Sequence, residues 1–322
     1  MPKTATDPAV LRLGGATMGT EWSVLVDAPL AAPARAAPAR AALQDDLQRA
    51  VDEVDLQMST WKSDSALMRF NAAPVGQWLA LPRHLLKVLE AGLAATAMTG
   101  GAFEMNLGDA VRAWGFGSAE IDLSAIKAAS AAPRVSALQA LDIDLSAGLA
   151  RKTAPLSLDL SGIAKGYGVD LLAETVIARG IAHALCAIDG EVRAVGARAD
   201  GTPWPVGIDD PDSAARGGHS VISLENASVA TSGDYRHFLT LRDKRLSHTM
   251  NPVTRAPVVD APASVTVLGQ SCMMADAMAT ALMVRGMAAG PRLATAQGIS
   301  ALFLGRGDKT CGTGLFSDRS AG

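Results

Sequence analysis

The sequence has 322 residues, of which 49% are hydrophobic and 19% are charged. This composition is typical of a globular protein with a sizeable core, and it excludes a disordered chain. The formal net charge is −3 and the basic residues are spread along the chain, which argues against a nucleic-acid-binding protein. Cys186, Cys272 and Cys311 lie far apart and form no CxxC pair, so neither a disulfide framework nor a zinc site is predicted.

The sequence also indicates where the protein is located. No stretch approaches the roughly 20 apolar residues that a transmembrane helix needs. Residues 1–15 contain neither the apolar segment nor the cleavage pattern of a signal peptide. We therefore expect a cytoplasmic protein without a transmembrane segment, with a periplasmic location open if the N-terminus has been trimmed.

The hydrophobic pattern predicts a series of strands and helices. Two strands between Leu11 and Val26 flank the sequence Thr-Met-Gly-Thr, and residues 120–150 have few distinctive features. Apolar residues at three- and four-residue spacing predict a helix near Ala41–Met58. Further helices are predicted at Pro82–Thr99, Lys165–Arg179 and Met274–Val284. Further strands are predicted at Leu156–Leu160, Ala184–Ile188, Glu191–Ala197, Val221–Leu224 and Val265–Val267. Because strands and helices do not alternate regularly, we expect an α+β fold in one compact domain of mixed sheets with flanking helices.

Several well-known fingerprints are absent from the sequence. There is no glycine-rich dinucleotide-binding motif after a strand, no Walker loop, no Gly-x-Ser-x-Gly elbow and no His-Glu-x-x-His motif. What remains is a set of short polar and glycine-rich segments.

The first segment is Asp-Leu-Ser-Gly-Ile-Ala-Lys-Gly-Tyr-Gly-Val-Asp, from Asp159 to Asp170. Its glycines allow close backbone approach to a ligand, and the free N–H groups at a helix start favour phosphate. Lys165 adds a positive charge. The alternative is a tight strand-to-helix turn with an exposed lysine, and the segment alone does not decide between them.

The second segment contains Asp276 and Thr280, which lie four residues apart and therefore on one face of the predicted helix. A carboxylate and a hydroxyl are hard oxygen ligands that suit Mg²⁺. A capping acid with a threonine bonded back to its own helix would give the same spacing.

The third segment runs from Thr231 to Pro257 and collects Ser232, Asp234, Tyr235, Arg236, His237 and His248. His248 is a candidate base or phosphate hydrogen-bond donor, with a structural histidine as the alternative.

Two more segments place aromatic residues beside small polar ones. Trp61 lies in Ser59–Asn71, and Phe103, Trp114 and Phe116 lie in Thr99–Gly117. In a chain with only 5 Trp, 2 Tyr and 6 Phe, this placement favours stacking on a planar ring. Core packing explains Trp114 and Phe116 equally well.

Taken together and in this order, these segments resemble the ApbE family, the FAD:protein FMN transferases. The matching pieces are Thr17–Thr20, Ser59–Ser65, Thr99–Glu104, Trp114–Gly117, Asp159–Asp170, Thr231–Phe238, Ser247–Pro252 and Ala275–Thr280. The resemblance implies an ApbE-like, T-fold-like domain over residues 11–305, an N-terminal extension over 1–10 and a C-terminal tail over 306–322. It also implies a reaction in which FMN is transferred from FAD to a threonine of an acceptor protein and AMP is released.

The resemblance also implies roles for individual residues. The metal ligands of the family, for Mg²⁺, fall on the carbonyl of Ala164 and the side chains of Asp276 and Thr280. Beyond what the resemblance implies, we expect His248 and Asp234 to be catalytic, orienting or deprotonating groups around the reacting phosphate and the acceptor hydroxyl. The flavin contacts fall on Met18, Trp61, Ala102, Phe103, Glu104, Ser161, Lys165, Tyr167 and Met250. The acceptor is expected to carry a Ser/Thr-Gly-Ala-Thr type motif.

The sequence departs from the family pattern at several positions. Glu104 stands where aspartate is common, while Ser161 and Arg255 each replace a common glycine. Residues 188–191 read Ile-Asp-Gly-Glu in place of the frequent Asn-Gly-Gly-Asp, and no lipobox cysteine lies near the start. Two alternative functions stay open: a Mg²⁺-dependent FAD pyrophosphatase that yields FMN and AMP, and a non-catalytic FAD-binding protein.

Overall fold

The computed structural model describes residues 10–28, 36–116, 121–131, 135–212, 218–234, 238–241, 244–307 and 309–319. The helices are α1 (Ala37–Met58), α2 (Ala66–Ala72), α3 (Arg83–Met98), α4 (Gly108–Ala113), α5 (Leu123–Ala131), α6 (Ala137–Ala140), α7 (Ala164–Ala178) and α8 (Cys272–Ala296). A 3-10 helix follows at Gly314–Arg319.

The strands, in chain order, are β1 (Val10–Thr17), β2 (Thr20–Asp27), β3 (Leu79–Ala80), β4 (Leu141–Asp144), β5 (Leu149–Lys152), β6 (Ala184–Ile188), β7 (Glu191–Val195), β8 (Trp204–Asp209), β9 (Gly218–Leu224), β10 (Ser228–Gly233), β11 (Phe238–Leu241), β12 (Lys244–Ser247), β13 (Met250–Asn251), β14 (Ala256–Pro257), β15 (Ser264–Gly269), β16 (Ser300–Leu304) and β17 (Thr310–Gly312).

The central sheet has eight strands in the order β1-β2-β6-β7-β10-β15-β16-β17, and neighbouring strands are antiparallel. Successive side chains of a strand point to opposite faces, so both faces of β2 are buried. On one face, Val24 and Val26 share a cluster with Leu47 of α1 and Leu172 of α7. On the other face, Leu25 packs in a cluster formed with the β8–β9 hairpin and the 3-10 helix. The sheet is therefore a middle layer, and the helical layer carries most of the predicted site.

Helix α8, with 25 residues, is the longest helix in the described part of the chain. By length and composition it could cross a membrane, but 56% of its apolar window is buried inside the protein. It packs against α7, β10 and β15, which identifies it as the core helix of this fold. Gly286, with φ 70° and ψ −178°, interrupts its helical backbone.

The structure confirms most of the predicted elements and corrects one of them. The β1–β2 hairpin, α1, α3, α7 and the first half of α8 lie close to their predicted positions. The strand predicted at Leu156–Leu160 is wrong, because this extended segment pairs with no strand in the described chain. The backbone of Leu158 forms hydrogen bonds with a side chain instead: Asn71 Nδ2 donates to Leu158 O, and Leu158 N donates to Asn71 Oδ1.

The region between residues 120 and 150 also has more structure than its sequence indicates. It contains α5, α6 and β4, and β4 pairs with β5 in a three-stranded sheet completed by β3. The sequence does not predict these elements because the apolar pattern is weak in such short segments.

Candidate functional site

The start of α7 and the second turn of α8 meet at the three residues predicted to bind Mg²⁺. Asp276 Oδ2 accepts a hydrogen bond of 3.0 Å from the backbone N–H of Gly166. A Cβ atom on Gly162 would lie 2.9 Å from Thr280 Oγ1. Ala164 lies between these two glycines and is itself buried. The structure therefore brings Ala164, Asp276 and Thr280 together around the segment Gly162–Gly166.

The orientation of α8 toward α7 depends on Asp170, to which the sequence assigned no role. Its carboxylate accepts hydrogen bonds from the Cys272 and Met273 backbone N–H groups, each 3.0 Å, and from Ser271 Oγ at 2.8 Å. Arg193 NH1 of β7 lies 2.6 Å away as an ion-pair partner. A carboxylate at a helix N-terminus satisfies unpaired N–H groups and complements the helix dipole. The sequence feature that could have identified Asp170 is its place as the second acidic residue of the glycine-rich segment Asp159–Asp170.

A cluster of charged side chains surrounds the helix start. Lys165 Nζ lies 3.0 Å from Glu191 Oε2 and 3.2 Å from Asp189 Oδ2. The negative charge of Asp276 also raises the pKa of Lys165. Asp189 and Glu191 flank the β6–β7 turn, and Asp189 has a left-handed backbone with φ 51°. In the sequence, Asp189 and Glu191 belong to a turn that departs from the common family pattern, but they are not assigned to the site. No local pattern indicates that this turn lies beside Lys165.

The cluster has three carboxylates and one ammonium group, and burial changes their pKa values. Burial raises the pKa of Glu191 to about 8 against the opposing effect of Lys165. Burial likewise raises the pKa of Asp276 to about 6. Burial acts to lower the pKa of Lys165, but the surrounding carboxylates outweigh it and hold that pKa above its usual value. The site thus carries an excess of negative charge that a bound cation would relieve.

The β1–β2 hairpin delivers Met18 to the same region. Met18 (φ 44°) and Gly19 (φ 74°) form its two-residue turn, and positive φ at both positions matches the twist of the strands. The Met18 Cε atom lies 3.1 Å from the position a Cβ would take on Gly168 of α7. Ser161 lies exposed at the other end of this region, where its N–H donates to Asp159 Oδ1 at 2.8 Å.

Trp61 is an exposed aromatic side chain, with 66% of its surface accessible. The loop that carries it is ordered by Ser59, whose Oγ accepts from the Trp61 N–H, and by Ser65 Oγ, which donates to Ser59 O at 2.7 Å. Lys62 and Asp55 add an ion pair of 2.5 Å. An exposed ring on an ordered loop is suited to stacking on a planar ligand.

The segment from Ala102 to Glu104 follows the end of α3. Thr99 Oγ1 accepts a 3.0 Å hydrogen bond from the Phe103 N–H, and Arg285 of α8 donates to Thr99 O at 2.8 Å. Ala102 and Phe103 are buried in the main core. Both oxygens of Glu104 are bonded to the chain, Oε2 to Ser136 Oγ and Oε1 to two backbone N–H groups. The longer acid therefore caps α6, and contacts of this segment with flavin stay a prediction.

Tyr167 lies apart from the exposed site residues. It is 1% exposed, and its hydroxyl lies 2.5 Å from His84 Nδ1 of α3. His84 Nε2 is in turn 3.2 Å from Glu53 of α1. These contacts give Tyr167 a packing role between helices, and a flavin contact stays a prediction.

The candidate catalytic residues lie at the end of β10 and beyond β12. Asp234 is 8% exposed, and both of its carboxylate oxygens accept from Arg306 NH2, at 2.9 and 2.7 Å. On the preceding strand, Ser232 Oγ lies 3.3 Å from Thr280 Oγ1, which links this strand end to the α8 site. His248 is half-buried between β12 and β13. Tyr235, Arg236 and His237 lie outside the described residues.

Met250 is buried in a small cluster with Leu107 and Ala110 of the α4 region and Ala129 of α5. Trp114 and Phe116 pack against this cluster, and Trp114 Nε1 donates to Arg255 O at 3.0 Å. Packing therefore accounts for both aromatic rings.

Comparison with known proteins places this arrangement in a family. The model of the ApbE family matches residues 18–303. An FAD:protein FMN transferase of Vibrio cholerae is 35% identical over 301 residues, covering 92% of this chain and 88% of the relative. That of Salmonella typhimurium is 33% identical, with coverages of 96% and 89%.

Solved structures show the same similarity. The flavin transferase ApbE from Vibrio cholerae superposes with a TM-score of 0.81 at 32% identity, covering 95% of this chain and 98% of that one. The Pseudomonas stutzeri flavinyl transferase ApbE in its apo form gives a TM-score of 0.83 at 33% identity, with 97% of each chain covered.

Proposed function

The chain belongs to the ApbE family, and we propose that it transfers FMN from FAD to a threonine hydroxyl of an acceptor protein in a Mg²⁺-dependent reaction. The bond between the two phosphates of FAD breaks, the threonine oxygen forms a new bond to the FMN phosphorus, and AMP leaves with the electron pair. The threonine proton is released in the same exchange. Flavin transfer is supported by the relatives named FAD:protein FMN transferase.

One observation carries the proposal: the start of α7 and the face of α8 that carries Asp276 and Thr280 form a single polar site. The site combines the Thr280 hydroxyl with the Asp276 carboxylate, which accepts from the Gly166 N–H in the first turn of α7. The N-cap residue of α7, Ile163, makes no side-chain hydrogen bond to this helix start. A helix start favours phosphate, and carboxylate and hydroxyl oxygens favour Mg²⁺.

The residues present fit a magnesium ion. Among the described residues, no group of three or more His, Cys, Asp or Glu side chains forms a metal site by itself. The proposed ligands are one carboxylate, one hydroxyl and one backbone carbonyl, and Mg²⁺ is commonly held by one or two carboxylates together with waters and substrate phosphates. Asp276, Thr280 and the Ala164 carbonyl would hold the ion, which supplies Lewis-acid polarisation of the phosphate oxygens when bound.

The chain's own residues then position the substrates. Lys165 is fixed by Glu191 and Asp189 at the helix start, where its ammonium group attracts the FAD pyrophosphate. Met18 and Trp61 provide apolar and aromatic surface for the flavin or adenine ring. His248 accepts the proton of the acceptor threonine, and Asp234, oriented by Arg306, supports the arrangement of the strand end.

The acceptor is proposed to present its threonine in a Ser/Thr-Gly-Ala-Thr type motif. Such a motif has small residues around the reacting hydroxyl, which suits close approach to a site built from backbone and short side chains.

Incubation with FAD, Mg²⁺ and an acceptor carrying this motif tests the proposal. Flavin fluorescence on the acceptor band in a denaturing gel is expected, together with release of AMP. Free FMN and AMP without a labelled acceptor would instead identify a pyrophosphatase. Bound FAD that stays intact would identify a non-catalytic FAD-binding protein.

The variant Asp276→Ala tests the metal assignment. It should abolish transfer and Mg²⁺ binding measured by titration calorimetry, because it removes the one carboxylate among the three proposed ligands. Asp200→Ala, at an exposed turn whose carboxylate bonds only locally to Thr202, is the matched control and should retain both. Full activity of Asp276→Ala at saturating Mg²⁺ would refute the assignment.

A further inference from the structure

Arg255 has a backbone conformation that arginine rarely adopts. Its φ is 53°, in the left-handed region, and it closes the turn between β13 and β14. Asn251 organises this turn: its Oδ1 accepts from the Val253 N–H at 2.8 Å, and its carbonyl accepts from the Arg255 N–H at 2.8 Å. A residue other than glycine persists in this conformation only where its surroundings fix it.

The side chain of Arg255 supplies that fixation. The residue is 4% exposed, and its NH1 lies 2.6 Å from Asp109 Oδ2 in the first turn of α4. Its Nε is buried without a hydrogen-bond partner among the described residues, so Asp109 is the partner that holds the guanidinium. Burial of an arginine with a single carboxylate is costly unless the ion pair is well formed.

The backbone of Arg255 is fixed to the other end of the same helix. Trp114, which ends α4, donates its indole N–H to Arg255 O at 3.0 Å. The β13–β14 hairpin is therefore attached to α4 at both the start and the end of that helix.

The hairpin begins with Met250, which packs into the cluster beside α4, and His248 precedes it by two residues. Val258 N donates to Thr249 O at 2.9 Å, which extends the hairpin pairing toward His248. Attachment of the hairpin to α4 thus also restrains the segment that carries His248.

We propose that Arg255 is a positioning residue: paired with Asp109, it holds the β13–β14 hairpin against α4 and so fixes His248 and Met250 in the site. Its effect on turnover rests on the proposed transfer of FMN. The effect of Arg255 on the hairpin does not depend on that function, so hydrogen exchange of the hairpin and turnover are measured separately.

The test uses Arg255→Gly, because glycine suits a φ of 53° and removes only the side chain. Backbone hydrogen exchange of residues 249–258, measured on the ligand-free full chain, should become at least about tenfold faster. The turnover number for FMN transfer should fall at least about tenfold, since a displaced group loses its reactive geometry. The affinity for Mg²⁺ should stay within about twofold, because the proposed ligands lie on α7 and α8.

Three further variants sharpen the test. Asp109→Asn should reproduce both effects, and the double variant Arg255→Gly/Asp109→Asn should be no worse than either single variant, as expected for one shared contact. Arg255→Lys keeps the charge and should recover part of the turnover. Asp260→Gly, a second non-glycine residue at positive φ (56°) beyond the hairpin, is the control and should leave turnover unchanged.

Unchanged exchange over residues 249–258 in Arg255→Gly would overturn the proposal whether or not the protein is active. Faster exchange with unchanged turnover would also overturn it, because the hairpin would then not position the site. Absence of FMN transfer by the wild-type chain would instead contradict the proposed function, while the exchange measurement would still decide the role of Arg255 in the hairpin.

Discussion

Asp276 of α8 accepts a hydrogen bond from the backbone N–H of Gly166 on α7 at 3.0 Å, and the two helices touch at this point. A Cβ on Gly166 would lie 2.4 Å from Cys272 O and 2.8 Å from Asp276 Cβ. The absence of a side chain at residue 166 therefore permits a helix contact close enough to place a carboxylate beside the start of another helix. The proposed metal ligands come from both sides of this contact.

Gly166→Ala is expected to force α7 and α8 apart. Overpacking of a core contact costs about 1–3 kcal/mol, of which the better helix propensity of alanine returns about 1 kcal/mol. Because the proposed ligands move relative to one another, turnover of FMN transfer should fall by about 100-fold. Chemical denaturation and the gel assay for flavin transfer measure the two effects.

Gly207→Ala is the matched control, because a Cβ at this position of β8 would meet no atom within 4 Å. It should change neither unfolding midpoint nor turnover appreciably. Wild-type turnover in Gly166→Ala would show that the α7–α8 spacing does not set the reactive geometry.

Asp170 is expected to contribute strongly to stability. Asp170→Ala leaves Arg193, Ser271 and the two backbone N–H groups at the start of α8 without their acceptor. Loss of one partner from a buried ion pair with several hydrogen bonds costs about 3 kcal/mol. The free energy of unfolding from urea titration should fall by about this amount, and Mg²⁺ affinity should weaken because α8 carries Asp276 and Thr280.

Asp142→Ala provides the comparison, since it removes a surface ion pair with Arg151 whose partners are 38% and 45% exposed. Its cost should be below about 1 kcal/mol. Equal destabilisation by the two variants would contradict the role assigned to Asp170.

The sequence predicts the parts of the site that are local in the chain. The turn at Met18 and the helices that carry Lys165 and Asp276 follow from turn residues and apolar spacing. Contacts between distant residues do not follow, because no local pattern places Asp170 on Ser271, 101 residues later. Phe103 shows a second limit: its place in a family-like segment favoured ring stacking, whereas the structure buries it in the core.

Trp61 is expected to contribute to FAD binding without contributing to stability. Its side chain is exposed, so Trp61→Ala should leave the unfolding midpoint unchanged. Stacking of an aromatic side chain on a base contributes about 1–3 kcal/mol, so FAD affinity should weaken by about tenfold or more. Quenching of FAD fluorescence measures the affinity.

Trp78→Ala is the control for Trp61, because this ring is also partly exposed but is covered by Arg151, 4.7 Å from its centre. It should bind FAD as the wild type does. Equal loss of affinity in both variants, or none in Trp61→Ala, would exclude Trp61 as a stacking residue.

The acidic cluster at the start of α7 should make the metal-free protein less stable as pH rises. The pKa of Glu191 is raised from 4.5 to about 8 and that of Asp276 from 3.8 to about 6, so the folded state binds more protons than the unfolded state within these intervals. Stability is then greatest at the acidic end of this window and is lost as pH rises through the folded-state values. Urea midpoints of the metal-free protein between pH 5 and pH 8 should therefore decline.

Glu191→Gln removes the larger of the two shifts, so its urea midpoint should decline less steeply with pH. Saturating Mg²⁺ should flatten the wild-type profile as well, because a cation stabilises the ionised carboxylates. Glu225→Gln, on an exposed turn far from Lys165 in sequence, should keep the wild-type slope. A urea midpoint of the metal-free wild type that rises between pH 5 and pH 8 would contradict this prediction. It would show that the chain itself already compensates the negative charge of the acidic cluster.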